Sequence, residues 1–478
     1  AFHWLGRYEP QFAAAQRAVE LATRQKAPFV RARALRLLGA AYWRLGDLDQ
    51  GLETLAEARD LYTGGGHLKG EADVERMIGI LQFEQGRLWE AKANYDRAAS
   101  LYATLGNRRS EARALTNKAL VLELQGDLDA TIEVTRRALE LFRQSQDPVA
   151  ELITLVNLGE PLMVQGRLDE AQAVFDAALE RVAEVDRFEA WTLYRLSDLL
   201  VLRGDLSAAT ARLDQALQIQ EDNQDQLGWA ESTSRLAGIR RMQGQMNEAM
   251  RLIEEALPVL EQRGTPGSYS AALRRYGECL TSRGDLERAR SVLEQALKVQ
   301  LNQSAQAGRS YTEVSLAEVL ISLGEVDEAE ELVRRALTDF AVRQAPILQA
   351  GGHRLLAEIA IARGDGEVAG SEIDAAETLL SGHDGPLMKL RTGLTAERVR
   401  AMDSAGGRHE ALQHLLAEAT SRGFLEVELE IRMAIGAGFL AQGDQVGGSA
   451  RLGGVIAEAA LHGLGRIEAE ARSVASQH

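Results

Sequence analysis

The side chains that could do covalent or metal chemistry are few and dispersed along this sequence. The single cysteine, Cys279, lies in the apolar run RRYGECLTSRGDL with no histidine near it, and reads as a buried structural thiol rather than a nucleophile. Being alone, it excludes a disulfide framework and any cysteine-cluster metal site. His409 and His414 stand five apart, about 140° around a helix, so they do not face one ion. His3, His67, His353, His383, His462 and His478 are scattered singly and read as surface histidines. No G-x-x-x-x-G-K followed by Ser or Thr occurs, and the glycine clusters Gly64 to Gly66 and Gly453/Gly454 lack the strand context of a dinucleotide site. The residues therefore predict no enzyme, no cofactor and no metal, and point to a chain that binds.

The elements that would present such a binding surface follow from a recurring phrase. It reads LGDLDQG at Gly46, QGRLWEA at Gly86 and QGDLDAT at Gly126, and returns at Gly166, Gly204, Gly244, Gly284, Gly324 and Gly364. The step is 40 residues, except for 38 between Gly166 and Gly204. Before the turn runs an apolar stripe at helical spacing, such as Leu155, Leu158, Gly159 and Leu162. After it, small or apolar residues stand five, nine and twelve positions on, as in Ala91, Tyr95 and Ala98 or Ala171, Phe175 and Ala178. The twelfth residue is alanine in nine successive copies, from Ala58, Ala98 and Ala138 through Ala178, Ala216, Ala256, Ala296 and Ala336 to Ala376. An absent side chain there predicts two helix backbones in close approach. The glycine suits a left-handed helix end, and Asp49, Asp129, Asp169 and Asp327 favour the positive end of the following helix.

From about residue 1 to 380 this pattern resembles the tetratricopeptide repeat (TPR) family. The resemblance is carried by the small residue seven before the turn (Gly39, Gly79, Gly159, Gly277), the small residue five after it and the alanine twelve after it. The usual TPR period is about 34 residues, so the chain is more similar to the long-helix variety of kinesin light chains, cell-polarity adaptors and large bacterial regulators of the maltose-regulon-activator type. The resemblance implies an all-α fold, an α-solenoid forming a right-handed superhelix of about 11 helix-turn-helix repeats. Residues 1–380 form the regular array, its first repeat truncated, and 381–478 form divergent repeats and a cap. Beyond SGHDGPL the alanine pattern fails, although Gly406/Gly407 and Gly443 still suggest turns, and glycines crowd 436–465. Pro148, Pro266 and Pro346 fit inter-repeat turns, whereas Pro161 and Pro258 fall within helices. At the start, Gly6 lies 40 before Gly46 with Ala18 twelve later, and no initiator methionine precedes it. This suggests a fragment of a longer or processed protein cut within a repeat, or a degenerate cap.

The formal net charge of −16 and pI near 5.2 predict repulsion from a nucleic-acid backbone. The sequence contains neither an apolar run long enough to span a bilayer nor a charged leader, so a cytoplasmic setting is expected.

In the TPR family the first helix of each repeat lines the concave surface. On that reading the early repeats present Trp43, Phe83, Met163, Trp191 and Tyr194 beside Arg33, Arg36, Arg76 and Arg113, either as partner anchors or as fillers between repeats. Asn117 and Asn157, nine before their turns, resemble groove asparagines that hold a peptide backbone; the equivalent position elsewhere carries Leu37, Met77, Arg195, Arg235, Arg275, Ser315 or Leu355. Later repeats carry an acidic column, Glu160, Asp198, Glu278, Glu318 and Glu358. Arg195 and Arg275 stand three before an acid, and Arg274 and Arg354 four before. The column reads as a salt-bridge ladder or as a site for a basic ligand. The expected function is a non-catalytic region binding a protein, peptide or small effector within a larger bacterial signalling protein, such as a transcriptional regulator with its output domain upstream. The alternative is a stand-alone scaffold that joins proteins or self-associates as a homo-oligomer. Replacing Trp43 and Phe83 with alanine is expected to weaken partner capture in a pull-down while circular dichroism keeps its helical amplitude; loss of helicity would make them fillers.

Overall fold

Each of the nine turn glycines adopts a left-handed backbone, with φ between 73° and 85°. Glycine reaches this region without the clash that a Cβ would bring. At four of the turns the next residue is an aspartate that caps the following helix: Asp47, Asp127, Asp205 and Asp365 each accept the backbone N–H three residues on. Asp49 and Asp129 do lie in the first turns of those helices. The capping bond itself, of about 1 kcal/mol, belongs to the residue beside the glycine.

A computed structural model of the chain describes residues 5–182, 188–302, 308–403 and 409–477, which form 24 α-helices and no strand. They fall into two compact units, 1–161 and 162–478. The first holds α1 (Leu5–Arg24), α2 (Pro28–Leu45), α3 (Leu48–Gly64), α4 (Leu68–Glu84), α5 (Leu88–Thr104), α6 (Arg108–Leu124), α7 (Leu128–Gln144) and all but the last turn of α8 (Pro148–Val164). The second holds α9 (Leu168–Val182), α10 (Glu189–Leu202), α11 (Leu206–Asp222), α12 (Gln226–Met242), α13 (Met246–Arg263), α14 (Pro266–Arg283), α15 (Leu286–Asn302) and α16 (Arg309–Leu323). It continues with α17 (Val326–Val342), α18 (Pro346–Arg363), α19 (Gly366–Leu380), α20 (Pro386–Asp403), α21 (His409–Arg422), α22 (Leu425–Ala441), α23 (Gln445–His462) and α24 (Gly465–Ser476). Even-numbered helices are the first of their repeats and odd-numbered helices the second. No helix among the described residues is long and apolar enough to cross a membrane.

Packing explains the repeated small residues. A Cβ on Gly79 would stand 2.6 Å from the Tyr95 ring, and one on Gly277 the same distance from Leu293. The position seven before the turn must be small because the large side chain nine after the turn lies across it. All nine alanines at the twelfth position are 0 % exposed, in the crevices where successive helices meet.

The ends depart from the expected register. Helix α1 already begins at Leu5, so Gly6 lies in its first turn rather than in a left-handed bend. Gly406 and Gly407 lie outside the described residues. The glycine-crowded segment is helical because its glycines fill the same small positions: Gly436 is seven before Gly443, and its Cβ would come within 3.0 Å of Leu452, nine after. Val455 replaces the alanine and is likewise 0 % exposed. Pro148, Pro266 and Pro346 open α8, α14 and α18, where a missing N–H costs nothing.

Within the second unit the last helices return onto earlier turns. Arg422 donates to the carbonyl of Arg203 at 3.1 Å, and His462 Nδ1 lies 3.2 Å from the Gly244 carbonyl. Residues 409–476 thereby rest against the turn ends of α10 to α13. Because Ala256 is fully enclosed, Ala256→Leu is expected to overpack the α13 contact and lower the unfolding free energy by about 1–3 kcal/mol, measured by urea denaturation.

Candidate functional site

Seven first helices of the second unit, α12, α14, α16, α18, α20, α22 and α24, line a cavity of about 980 Å³, to which Phe340 of α17 and Leu412 of α21 also contribute. Its apolar wall includes Val314 and Ile321 from α16, Leu355 and Ile361 from α18, Met388 and Leu394 from α20, and Met433 from α22. The stripe that packs one helix pair on the next leaves the opposite face of each first helix turned inward, and that face supplies the lining.

Across this wall runs a network of ion pairs. Arg241 Nη1 donates to Glu426 at 2.9 Å, and the other oxygen of Glu426 accepts from Ser282 Oγ at 2.8 Å and from Arg466 at 3.2 Å. Arg466 also reaches Glu430 at 2.5 Å. Glu278 is held by Arg274, by Arg241 at 3.6 Å and by Ser315 Oγ at 3.1 Å. Glu318 receives Arg354 at 2.7 Å and Arg391 at 3.3 Å; Glu358 receives Arg398 at 2.5 Å and Thr395 Oγ1 at 2.7 Å. Burial alone would raise the Glu426 carboxyl, but Arg241, Arg466 and Arg391 together hold it down at about 2. Glu278 is lowered in the same way, with Arg274 and Arg241 outweighing burial. Burial raises the Cys279 thiol to about 12, the state of an inert structural cysteine. The chamber can thus hold a ligand against apolar surface and already-paired polar groups, with no free nucleophile or poised acid among those described here.

The acidic column is a ladder, with partners that the spacing alone does not assign. Asp198 pairs with Arg235 of the next repeat at 2.7 Å and more loosely with Arg195 at 3.7 Å. Arg354 bonds Glu318 of the preceding repeat rather than Glu358 of its own helix. Among the described residues Arg275 bonds neither Glu278 nor any other carboxylate.

None of the residues marked by sequence as a groove is among those lining the chamber. In the first unit Arg33 and Arg113 are exposed, and Arg36, Arg76 and Asn117 are half-buried. Arg36 and Arg33 lie beside the Tyr62 phenol, and Arg76 beside Tyr102, whose hydroxyl donates to Asp73 at 2.6 Å. Trp43 and Phe83 are partly buried against the cores around Leu55 and Tyr95, and Asn157 is exposed. In the second unit Met163 is buried, Trp191 stacks edge-on to Phe188, and Tyr194 packs under Arg235. Sequence reading missed Arg391, Arg398, Glu426, Glu430 and Arg466. They lie in repeats whose alanine pattern has decayed, and Glu426 meets Arg241 across 185 residues.

A folded-state carboxyl held at about 2, against 4.5 ordinarily, contributes stability that is present in full above pH 4.5 and lost as the pH falls toward 2. Glu426→Gln is therefore expected to destabilise the second unit by about 3 kcal/mol at neutral pH. The deficit should narrow steadily below pH 4.5 in urea titrations; an equal deficit at every pH would assign the loss to packing.

Comparison with known proteins agrees with this architecture. The model of the MalT-like TPR region matches residues 102–268 and 201–347, and a general tetratricopeptide-repeat model matches 30–104. A curated relative, the regulatory protein AfsR of Streptomyces griseus, is 25 % identical over 218 residues, which is 45 % of this chain and 21 % of that protein. The chain thus matches about a fifth of its relative's length. Among solved structures, a Rap protein complexed with competence and sporulation factor is 16 % identical with a TM-score of 0.52, covering 74 % of this chain and 98 % of its own. The Rap conjugation gene regulator of plasmid pLS20, in complex with the Phr* peptide, is 14 % identical with a TM-score of 0.50, covering 70 % and 96 %. At such identity the likeness is one of fold. With its nine-copy turn, its small-residue contacts and the family match over half its length, the chain belongs to the MalT-like TPR family.

Proposed function

We propose that this chain is the effector-receiving region of a larger cytoplasmic signalling protein, a transcriptional regulator with its output domain upstream, and that the second unit's chamber holds the effector. The observation that carries this reading is the cavity of about 980 Å³ lined chiefly by the inward faces of successive first helices. A volume of this order suits a small molecule or a few residues of peptide. The match to part of AfsR, a regulatory protein, supports the regulatory assignment, and the Rap structures complexed with competence and sporulation factor and with the Phr* peptide supply a precedent for ligand capture on this fold. The role is non-catalytic, because arginines occupy the inner carboxylates and the thiol is enclosed and unreactive. Arg33, Arg36, Trp43, Arg76, Phe83, Arg113 and Asn117 of the first unit offer a separate contact surface for a protein partner.

A scaffold role is the rival reading, favoured by Val446 and Leu461 on α23, which are 83 % and 77 % exposed and could seat a second copy or a partner protein. Native mass spectrometry after incubation with a low-molecular-weight extract of the source cells distinguishes the two. An effector-receiving chain should retain a species of fixed added mass, and Ala434→Trp, which fills the chamber, should lose that species with helicity unchanged. Retention of no small molecule, together with dimerisation abolished by Val446→Asp, would leave the scaffold.

A further inference from the structure

Three successive first helices carry arginine nine residues before the turn: Arg195 on α10, Arg235 on α12 and Arg275 on α14. One carboxylate, Asp198, serves the first two, at 3.7 Å and 2.7 Å. Arg235 is further fixed by the Tyr194 ring, 5.2 Å from its guanidinium, and by the Tyr194 hydroxyl, which accepts its Nη2 at 3.1 Å. Arg275 has no such partner. It is 7 % exposed, its Cδ packs over Gly238, and its one hydrogen bond among the described residues is donated to Ser234 Oγ at 3.1 Å.

The surrounding charges make that position costly for a lone cation. Glu278, one turn along α14, is taken by Arg274 and Arg241. Glu231 on α12 bonds Ser268 and is itself raised by burial. Asp198, Glu231 and Glu278 act on Arg275 only through space, without a bond to it, while Arg235 and Arg274 repel it; burial and that repulsion lower the Arg275 guanidinium to about 10. A buried charge without a counter-ion is strongly unfavourable, and a guanidinium fork with most of its donors unused matches two oxygens of a carboxylate or phosphate. Ser234, which accepts from Arg275, keeps its own O–H to donate.

We propose that Arg275 and Arg235, with Ser234, form an oxyanion site between α12 and α14 that takes the carboxylate or phosphate group of a small ligand. Neither arginine lines the chamber, so the site stands whether or not the chamber holds the effector. In a chain of net charge −16 it is a local concentration of positive charge on the inner face.

The test is thermal melting of the whole chain, with chloride replaced at constant ionic strength by inorganic phosphate or by acetate. The expected result is a saturable rise of a few degrees with one anion or both. A response to phosphate alone assigns a phosphoryl group and a response to acetate alone a carboxylate. Arg275→Gln should melt higher than the parent in chloride, because a buried uncompensated charge is gone, and should lose the anion response; Arg263→Gln, on the exposed end of α13, should keep it. The proposal is overturned if neither anion acts beyond chloride, or if Arg275→Gln retains the response. Crystals of the parent protein soaked in selenate give a reading independent of any variant: an anomalous peak beside Arg275 supports the site, and none there removes it.

Discussion

The contact on which the rest of this structure depends is the close approach of helix backbones at the small residues flanking each turn. Seven before the turn, a glycine or its small equivalent receives the large side chain that stands nine after it, as Gly79 receives Tyr95 and Gly277 receives Leu293. Twelve after it, an enclosed alanine lets the following helix come near. A single repeat of this kind cannot bury enough apolar surface to offset the entropy of ordering it. The same contact must therefore recur, and the recurrence determines which face of every first helix is left uncovered.

The proposed function rests on that uncovered face. In the second unit, successive first helices turn it toward one chamber, and equivalent positions line up from repeat to repeat. Side chains at those positions can pair along the row as well as along their own helix: Asp198 reaches Arg235, and Arg354 reaches back to Glu318. The network leaves the carboxylates occupied by guanidiniums. Glu426 is the extreme case, enclosed yet ionised because three guanidiniums face it. Arg275 is the converse, a cation in the same kind of row whose nearest acids are already engaged.

Much of the fold was legible because the phrase reports it redundantly. Turn, small positions and the alternation of first and second helices can all be read from residues such as Gly46, Gly79, Tyr95 and Ala98. The decayed alanine at Val455 hid a repeat whose other small positions, Gly436 and Gly448, are intact and in close contact. The site was less legible. Spacing placed Glu278, Glu318 and Glu358 in one row with arginines nearby, which sufficed for a ladder. It could not say that Arg354 would turn to the preceding repeat or that Arg275 would be passed over. Those choices rest on differences of a few ångströms in side-chain reach, and on which acid another arginine already holds. Trp43 and Phe83, conspicuous by type, are partly buried against core side chains of the first unit.

The sequence by itself determined the helix pairs, their period and the small-residue contacts, because those depend on interactions between residues within about one repeat of each other. Tertiary structure alone decided that α21 to α24 return onto the turns of α10 to α13, that Glu426 meets Arg241, and that a chamber is thereby formed. These contacts join residues some two hundred positions apart. Their geometry is the accumulated sum of small rotations between repeats, a quantity that no local pattern of residues records.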